Sequence, residues 1–246
     1  MSKKPLILMS ASHDINPRHG GQQYVLNKNY ALAVAAGGGI PLLASGERDY
    51  DSYAELADGL VLTGGWLLHP DNYAFGHCKA GDQETFNDEV RNPYDQKLYQ
   101  AFKKAGKPVL GICQGLLAIN IGQGGANSFD LPGEIGTEHG AGIGHRIKAE
   151  QGSIVESLFG PSLTVNSHHT HYIRKLGDDL RVTAFSDDGV PEAIEHVDLP
   201  VFGTQWHPER MRGEMPNPPD GPDMTRLFSY FVEQCSECRN KEKGAD

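Results

Sequence analysis

Positive charge is scarce in this chain: 22 lysines and arginines stand against 32 aspartates and glutamates, a formal net charge of −10 over 246 residues. That balance argues against a nucleic-acid surface, which needs clustered Lys and Arg to displace counterions. A small polar or cationic ligand is compatible with it. Cysteine is scarce as well. Cys78, Cys113, Cys235 and Cys238 are too few for a disulfide framework. Long apolar runs are lacking, and the short one in MSKKPLILMSASHD falls well below a signal-peptide core. The expectation is a cytoplasmic protein with reduced thiols and with neither membrane nor nucleic-acid partners. Internal repeats, low-complexity tracts and linker-like segments are also missing, so residues 1–246 are expected to form one domain.

What is abundant is turn chemistry, with 30 glycines and 15 prolines. Between the turns lie PLILMS (5–10), IPLLAS (40–45), DGLVLTGG (58–65) and VLGI (109–112), which read as strands. Helical spacing covers 24–38, 92–108, the stretch from 114 to 122, and 224–237, where Leu227, Phe228, Phe231 and Val232 share a face. Continuous apolar strands alternating with helices predict an α/β fold, a mostly parallel central sheet with helices on both faces. In the second half, LRVTAF (180–185), VPEAIE (190–195) and PVFGTQ (200–205) are short and separated by turns, which predicts a small antiparallel extension. The polar, glycine-rich stretches 70–92 and 124–146 are expected at the carboxyl edge of the sheet, where ligands bind.

One cysteine has a special setting. In KPVLGICQGLLAIN (107–120), Cys113 lies between Gly111 and Gly115, where a buried strand meets a buried helix. Strand, G-x-C-x-G, helix is the cysteine form of a nucleophile elbow. The turn is tight, so a Cβ on either neighbour would clash. A helix N-terminus favours thiolate over thiol, and its first free N–H groups can donate to an oxyanion.

A nucleophile needs a base. FGTQWHPE (202–209) offers His207 with Glu209 two residues on. In an extended chain these side chains point the same way, so the carboxylate can hold one imidazole nitrogen while the other faces the thiol. That is a triad in the order Cys113, His207, Glu209.

GICQG together with QWHPE resembles the class I glutamine amidotransferase superfamily, which has a flavodoxin-like fold. More narrowly the chain resembles the γ-glutamyl-γ-aminobutyrate hydrolase family, peptidase C26. The likeness extends through AVAAGGGIPLLA, LVLTGGWLLHPDNY, KPVLGICQGLLAINIGQGG, VNSHHTH, LRVTAFSDDGVPEAIE and VFGTQWHPE. It implies Cys113 as nucleophile, His207 as general base and acid, and Glu209 as the group orienting His207. An oxyanion hole from the N–H groups of Gly65 and Gln114 is implied as well. Substrate contacts are expected from Gly64, Trp66, Tyr73, Asn166, Ser167, His168 and His169, with no cofactor and no metal. The reaction implied is hydrolysis of a γ-glutamyl amide through a thioester, and a homodimer is compatible with the resemblance.

The chain departs from the family pattern at named places. Gln114 stands where Arg is common. Trp66 and Leu67 occupy a region that commonly carries an aspartate. Thr170 and His171 replace the usual His-Gln of the VNS motif. These changes fall where substrate is expected and leave the triad intact. A metal on His168, His169 and His171 is disfavoured, because adjacent residues of a strand point apart. Cys235-Ser-Glu-Cys238 lacks a second pair and reads as surface or half-buried thiols. Asp71, Asp82 and Glu84 are acidic residues that suit an amine-bearing substrate. A glutaminase subunit feeding ammonia to a synthetase, and a silent binding protein of the same fold, stand as the alternatives.

Overall fold

The computed structural model describes residues 3–16, 18–45, 49–65, 92–128, 131–140, 142, 144–213, 218 and 220–244. Trp66, Tyr73, Asp71, Asp82 and Glu84 lie outside the described residues, as does Cys78.

Nine strands form one sheet, in the order Ile40–Leu43, Leu6–Met9, Gly59–Leu62, Val109–Ile112, Val201–Thr204, Pro191–His196, Leu180–Ser186, His145–Ala149 and Ser162–Val165. Neighbours among the first five are parallel, and the remaining pairs are antiparallel. The antiparallel extension therefore continues the main sheet. It is larger than the sequence suggests, because His145–Ala149 and Ser162–Val165 join it at the far edge. Two short ribbons accompany the sheet: Ala126–Ser128 with Tyr172–Lys175, and Ser12–Ile15 with Gln22–Val25.

The central strands Gly59–Leu62, Val109–Ile112 and Val201–Thr204 are buried along their whole length. Both faces are covered, as continuous apolar strands require. Leu60, Leu62 and Val109 meet the helices Tyr50–Leu56, Asn92–Lys104 and Gln114–Gly122 on one side. Val61, Leu110 and Ile112 meet Lys28–Ala36 and Thr225–Gly244 on the other. The expected face Leu227, Phe228, Phe231 and Val232 is buried there. The helix expected over 24–38 starts later, at Lys28, because Gln22–Val25 is a strand and the Asn27 side chain caps the helix by accepting from the Asn29 N–H. The last helix runs on to Gly244, beyond the expected 237.

Cys235 corrects an expectation. It is fully buried, and a Cβ on Gly59 would lie 2.3 Å from its sulfur. It is a core residue whose thiol burial pushes well above its ordinary pKa. Among the described residues no helix is long and apolar enough to cross a membrane.

Register places the site. Thr204 pairs with Ile112, and Leu62 with Gly111, so three strands end level at one edge. The chain leaves those strand ends into Cys113, into the segment from Gln205 to Glu209, and into Thr63 to Gly65. Three separate stretches of sequence thus meet at the carboxyl edge of the parallel strands.

Candidate active site

Cys113 is the turn itself. It links Val109–Ile112 to the helix Gln114–Gly122 with φ 52° and ψ −105°, a conformation that a residue with a side chain rarely adopts. Such backbone costs about 1–3 kcal/mol and persists only when its surroundings enforce it. Here the Cys113 N–H donates to the Thr204 carbonyl at 2.7 Å. The flanking glycines are sterically required. A Cβ on Gly115 would sit 2.0 Å from the Leu62 carbonyl oxygen, and one on Gly111 would sit 2.7 Å from the Gly115 backbone. The thiol is 6% exposed, and the Gln205 side-chain amide donates to its sulfur at 3.7 Å.

His207 and Glu209 meet, though by a different geometry from the one the sequence suggests. The strand ends at Thr204, and His207 caps a single 3-10 turn formed by Pro208–Arg210. Within that turn His207 Nδ1 lies 2.8 Å from Glu209 Oε1. A carboxylate only accepts, so Nδ1 carries the proton and Nε2 is left for the sulfur. Both residues are buried. Burial alone would lower the imidazole pKa, but the Glu209 carboxylate and the Cys113 sulfur outweigh it and raise the value to about 9. Burial likewise pushes Glu209 up, and the facing imidazolium more than offsets it, holding the carboxyl below its ordinary range. The arrangement stores a proton on His207 next to the Cys113 sulfur.

Two residues that carry no catalytic signal in the sequence complete this pair. Tyr30, on the helix Lys28–Ala36, places its hydroxyl 3.4 Å from His207 Nδ1 and accepts the Gly64 N–H at 2.9 Å. Gln205 supplies the amide to the thiol. Tyr30 looks in the sequence like any buried helix residue, while Gln205 sits inside the quoted QWHPE.

The residues expected to touch substrate divide. Gly64 packs against His207, since a Cβ there would lie 2.7 Å from His207 Cε1. A Cβ on Gly65 would lie 1.7 Å from Gln114 Oε1, so the two positions expected to form the oxyanion hole are adjacent. His168 stands edge-on to His207, with ring centroids 5.8 Å apart. Burial first, then the charges of Arg210 and His207, lower its pKa to about 4, so it stays neutral beside the charged His207 ring. The other three side chains are committed to protein partners. Asn166 spends both ends of its amide on the His207 backbone, donating to the carbonyl and accepting from the N–H, each at 2.9 Å. Ser167 donates to the His139 carbonyl at 2.6 Å, and His169 is buried against Glu192 at 3.4 Å. Their geometry is that of support for the loop, with Asn166 holding the His207 backbone.

Residues 5–209 match the family model described as peptidase C26. A Schizosaccharomyces pombe protein provisionally named a glutamine amidotransferase is 28% identical over 213 residues, covering 83% of this chain and 80% of that one. The γ-glutamyl-γ-aminobutyrate hydrolase PuuD of Escherichia coli K12 is 26% identical over 239 residues, covering 89% and 90%. Among solved structures, a Thermoplasma acidophilum protein provisionally described as a GMP synthase subunit superposes with a TM-score of 0.67 at 18% identity, over 98% of this chain and 100% of that one. At that identity the likeness bears on the fold alone.

Proposed function

The chain belongs to the peptidase C26 family, and from that premise we propose that it is a cysteine-dependent hydrolase of γ-glutamyl amides, releasing glutamate and an amine. The observation that carries the reading is the buried His207–Glu209 pair beside a cysteine held at φ 52°.

Cys113 attacks the γ-amide carbon as the thiolate. The developing oxyanion is received by the backbone N–H groups of Gln114 and Gly65; the Gln114 side chain lies against Gly65, which supports pairing these two residues. His207 then gives its proton to the departing amine nitrogen. The thioester that remains is attacked by water, whose proton returns to His207, and glutamate leaves. Glu209 holds the imidazole tautomer throughout, and Asn166 fixes its backbone. The buried base is suited to the first half-reaction because it starts protonated.

The leaving amine is proposed to be of the γ-aminobutyrate type, as in the activity for which the Escherichia coli relative is named, or a polyamine. The amidotransferase name of the yeast relative favours a second reading, a glutaminase acting with a synthetase. One experiment separates them. Purified protein is mixed with γ-glutamyl-γ-aminobutyrate, γ-glutamyl-putrescine, γ-glutamyl-spermidine, folyl polyglutamate and glutamine, and products are followed by mass spectrometry with Cys113→Ala alongside. Turnover of one γ-glutamyl amine with little from glutamine supports the hydrolase; a silent panel, with Cys113 still alkylated rapidly by iodoacetamide, removes it.

A further inference from the structure

We propose that His139, His145, His169 and Glu192 form a binding site for one divalent transition-metal ion of the zinc class, apart from the Cys113–His207 pair.

The inference starts from tautomers. His139 Nε2 lies 2.9 Å from the Asp188 carboxylate, which can only accept, so in the neutral ring the proton is on Nε2 and Nδ1 presents a lone pair. His169 Nδ1 lies 3.0 Å from the His171 backbone carbonyl, which also only accepts, so Nε2 presents a lone pair. Those two lone pairs face each other at 3.2 Å. Both also face Glu192 Oε1, at 3.3 Å from His139 and 3.4 Å from His169. Three acceptors therefore converge on one point, inside the protein, with Glu192 fully buried and His139 and His169 nearly so. Acceptors packed this way repel unless a cation sits among them.

The fourth group is His145, whose Nε2 is 3.1 Å from the same Glu192 oxygen. The ligand atoms of His139, His145 and Glu192 all lie within 4.8 Å of one another. Neither Glu192 oxygen, nor His145 Nε2, makes a hydrogen bond among the described residues, although the separations are short enough. Glu192 and His145 Nε2 are thus left without a hydrogen-bond partner beside His139 Nδ1 and His169 Nε2, which point at each other. Zinc bound to nitrogen and oxygen at about 2.0–2.1 Å in a tetrahedron spaces its ligand atoms about 3.3 Å apart. The triangle of His139, His169 and Glu192 has that size.

The outer partners fit too. A metal-bound imidazole ordinarily donates its far N–H to a carboxylate or backbone carbonyl, which fixes ring and tautomer. Asp188 and the His171 carbonyl do this for His139 and His169. Four protein ligands leave no open position, so the site is structural. It would tie His139 and His145 to the VNSHHTH segment and to the strand Pro191–His196. Main-chain bonds already run along that seam, from His169 N–H to the His139 carbonyl at 3.0 Å and from Gly142 N–H to the Ser167 carbonyl at 2.9 Å. The braced segment is the one that carries Asn166 and His168 to His207.

The test uses the full chain with Cys113→Ala, which removes the thiol and imidazole pair as a competing site. Metal-free protein is titrated with Co²⁺ and read by visible absorption, and its zinc content is measured after dialysis against zinc and then buffer. The expected result is about one equivalent per chain, intense d–d bands of tetrahedral cobalt without thiolate charge-transfer bands, and a melting temperature that rises on zinc addition. Glu192→Gln and His139→Asn, each shown folded by circular dichroism, should weaken Co²⁺ binding at least about tenfold. Tetrahedral bands unchanged in both variants would overturn the assignment. So would protein that retains no zinc, gives no tetrahedral bands and melts at the same temperature with and without zinc, which would mean that protons alone hold the cluster together.

Discussion

Asn166 grips the peptide of His207 from both sides, its Nδ2 donating to the His207 carbonyl and its Oδ1 accepting from the His207 N–H, each at 2.9 Å. His207 therefore hangs on a side chain 41 residues away in sequence as well as on its own stretch of chain after the strand Val201–Thr204. Asn166→Ala leaves a buried N–H and a buried carbonyl without partners, at about 1–3 kcal/mol each when fully desolvated. The expected outcome is a lower melting temperature and a fall in kcat of about tenfold or more. Asn166→Asp, which keeps the acceptor and loses the donor, should recover part of both. Thermal melts and steady-state kinetics on the two variants check this.

Glu209 sets the proton affinity of His207. Between the ordinary imidazole value of 6.5 and the folded value of about 9, the native chain holds a proton that the unfolded chain has released. This site's contribution to stability is therefore full below about pH 6.5 and declines as pH rises towards 9. In the proposed reaction the imidazolium protonates the departing amine, so kcat/KM should fall on the alkaline side with an apparent pKa near 9. Glu209→Gln removes the largest raising charge. The alkaline limb should move to lower pH and the rate should drop about 10²- to 10⁴-fold. A pH–rate profile of both proteins reads the shift.

Tyr30 couples the base to the glycine turn, since its hydroxyl accepts the Gly64 N–H and stands beside His207 Nδ1. Tyr30→Phe strands that N–H in the interior. The expected cost is about 1–3 kcal/mol of stability, together with a lower kcat, because in the proposed reaction the turn positions the Gly65 N–H for the oxyanion. Denaturant unfolding and kinetics together distinguish this from loss of fold.

Gly115 and Gly65 should behave differently on substitution by alanine. At Gly115 the new Cβ would overlap the Leu62 carbonyl oxygen at 2.0 Å, and backbone cannot step aside. Gly115→Ala should cost more than about 3 kcal/mol or fail to fold. At Gly65 the obstacle is the end of the Gln114 side chain, which can rotate away. Gly65→Ala should stay folded and lose activity, and paired melting and activity measurements separate the two cases.

The legible parts of this chain are those written in short range. Cys113 declares itself because the elbow needs glycine on both sides within five residues, and His207 and Glu209 lie two apart in one motif. The buried strands 59–62 and 109–112 are apolar throughout and bounded by turns, which fixes their type. His145–Ala149 reads HRIKA, with only Ile147 and Ala149 apolar, and its pairing with Ser162–Val165 comes from tertiary context. His207 and Glu209 illustrate a contact expected from the sequence but reached through a different conformation: a 3-10 turn after His207, not an extended strand, brings Glu209 to His207. Asn166 and His169 show the opposite case. Both belong to a motif that can be read, yet their partners, His207 and Glu192, are fixed only by how the strands stack. The His139, His145 and Glu192 cluster has no sequence spacing to betray it, because its members come from a loop and two non-adjacent strands.

The most direct test of thioester chemistry is to mix the chain with its best γ-glutamyl amide, quench with acid within a few turnovers, and map masses on the Cys113 peptide. The predicted result is a Cys113 peptide heavier by one γ-glutamyl group, lost again as glutamate forms, and no such adduct in Cys113→Ala, which also releases no glutamate. Glutamate release that continues undiminished in Cys113→Ala would contradict a cysteine-dependent reaction.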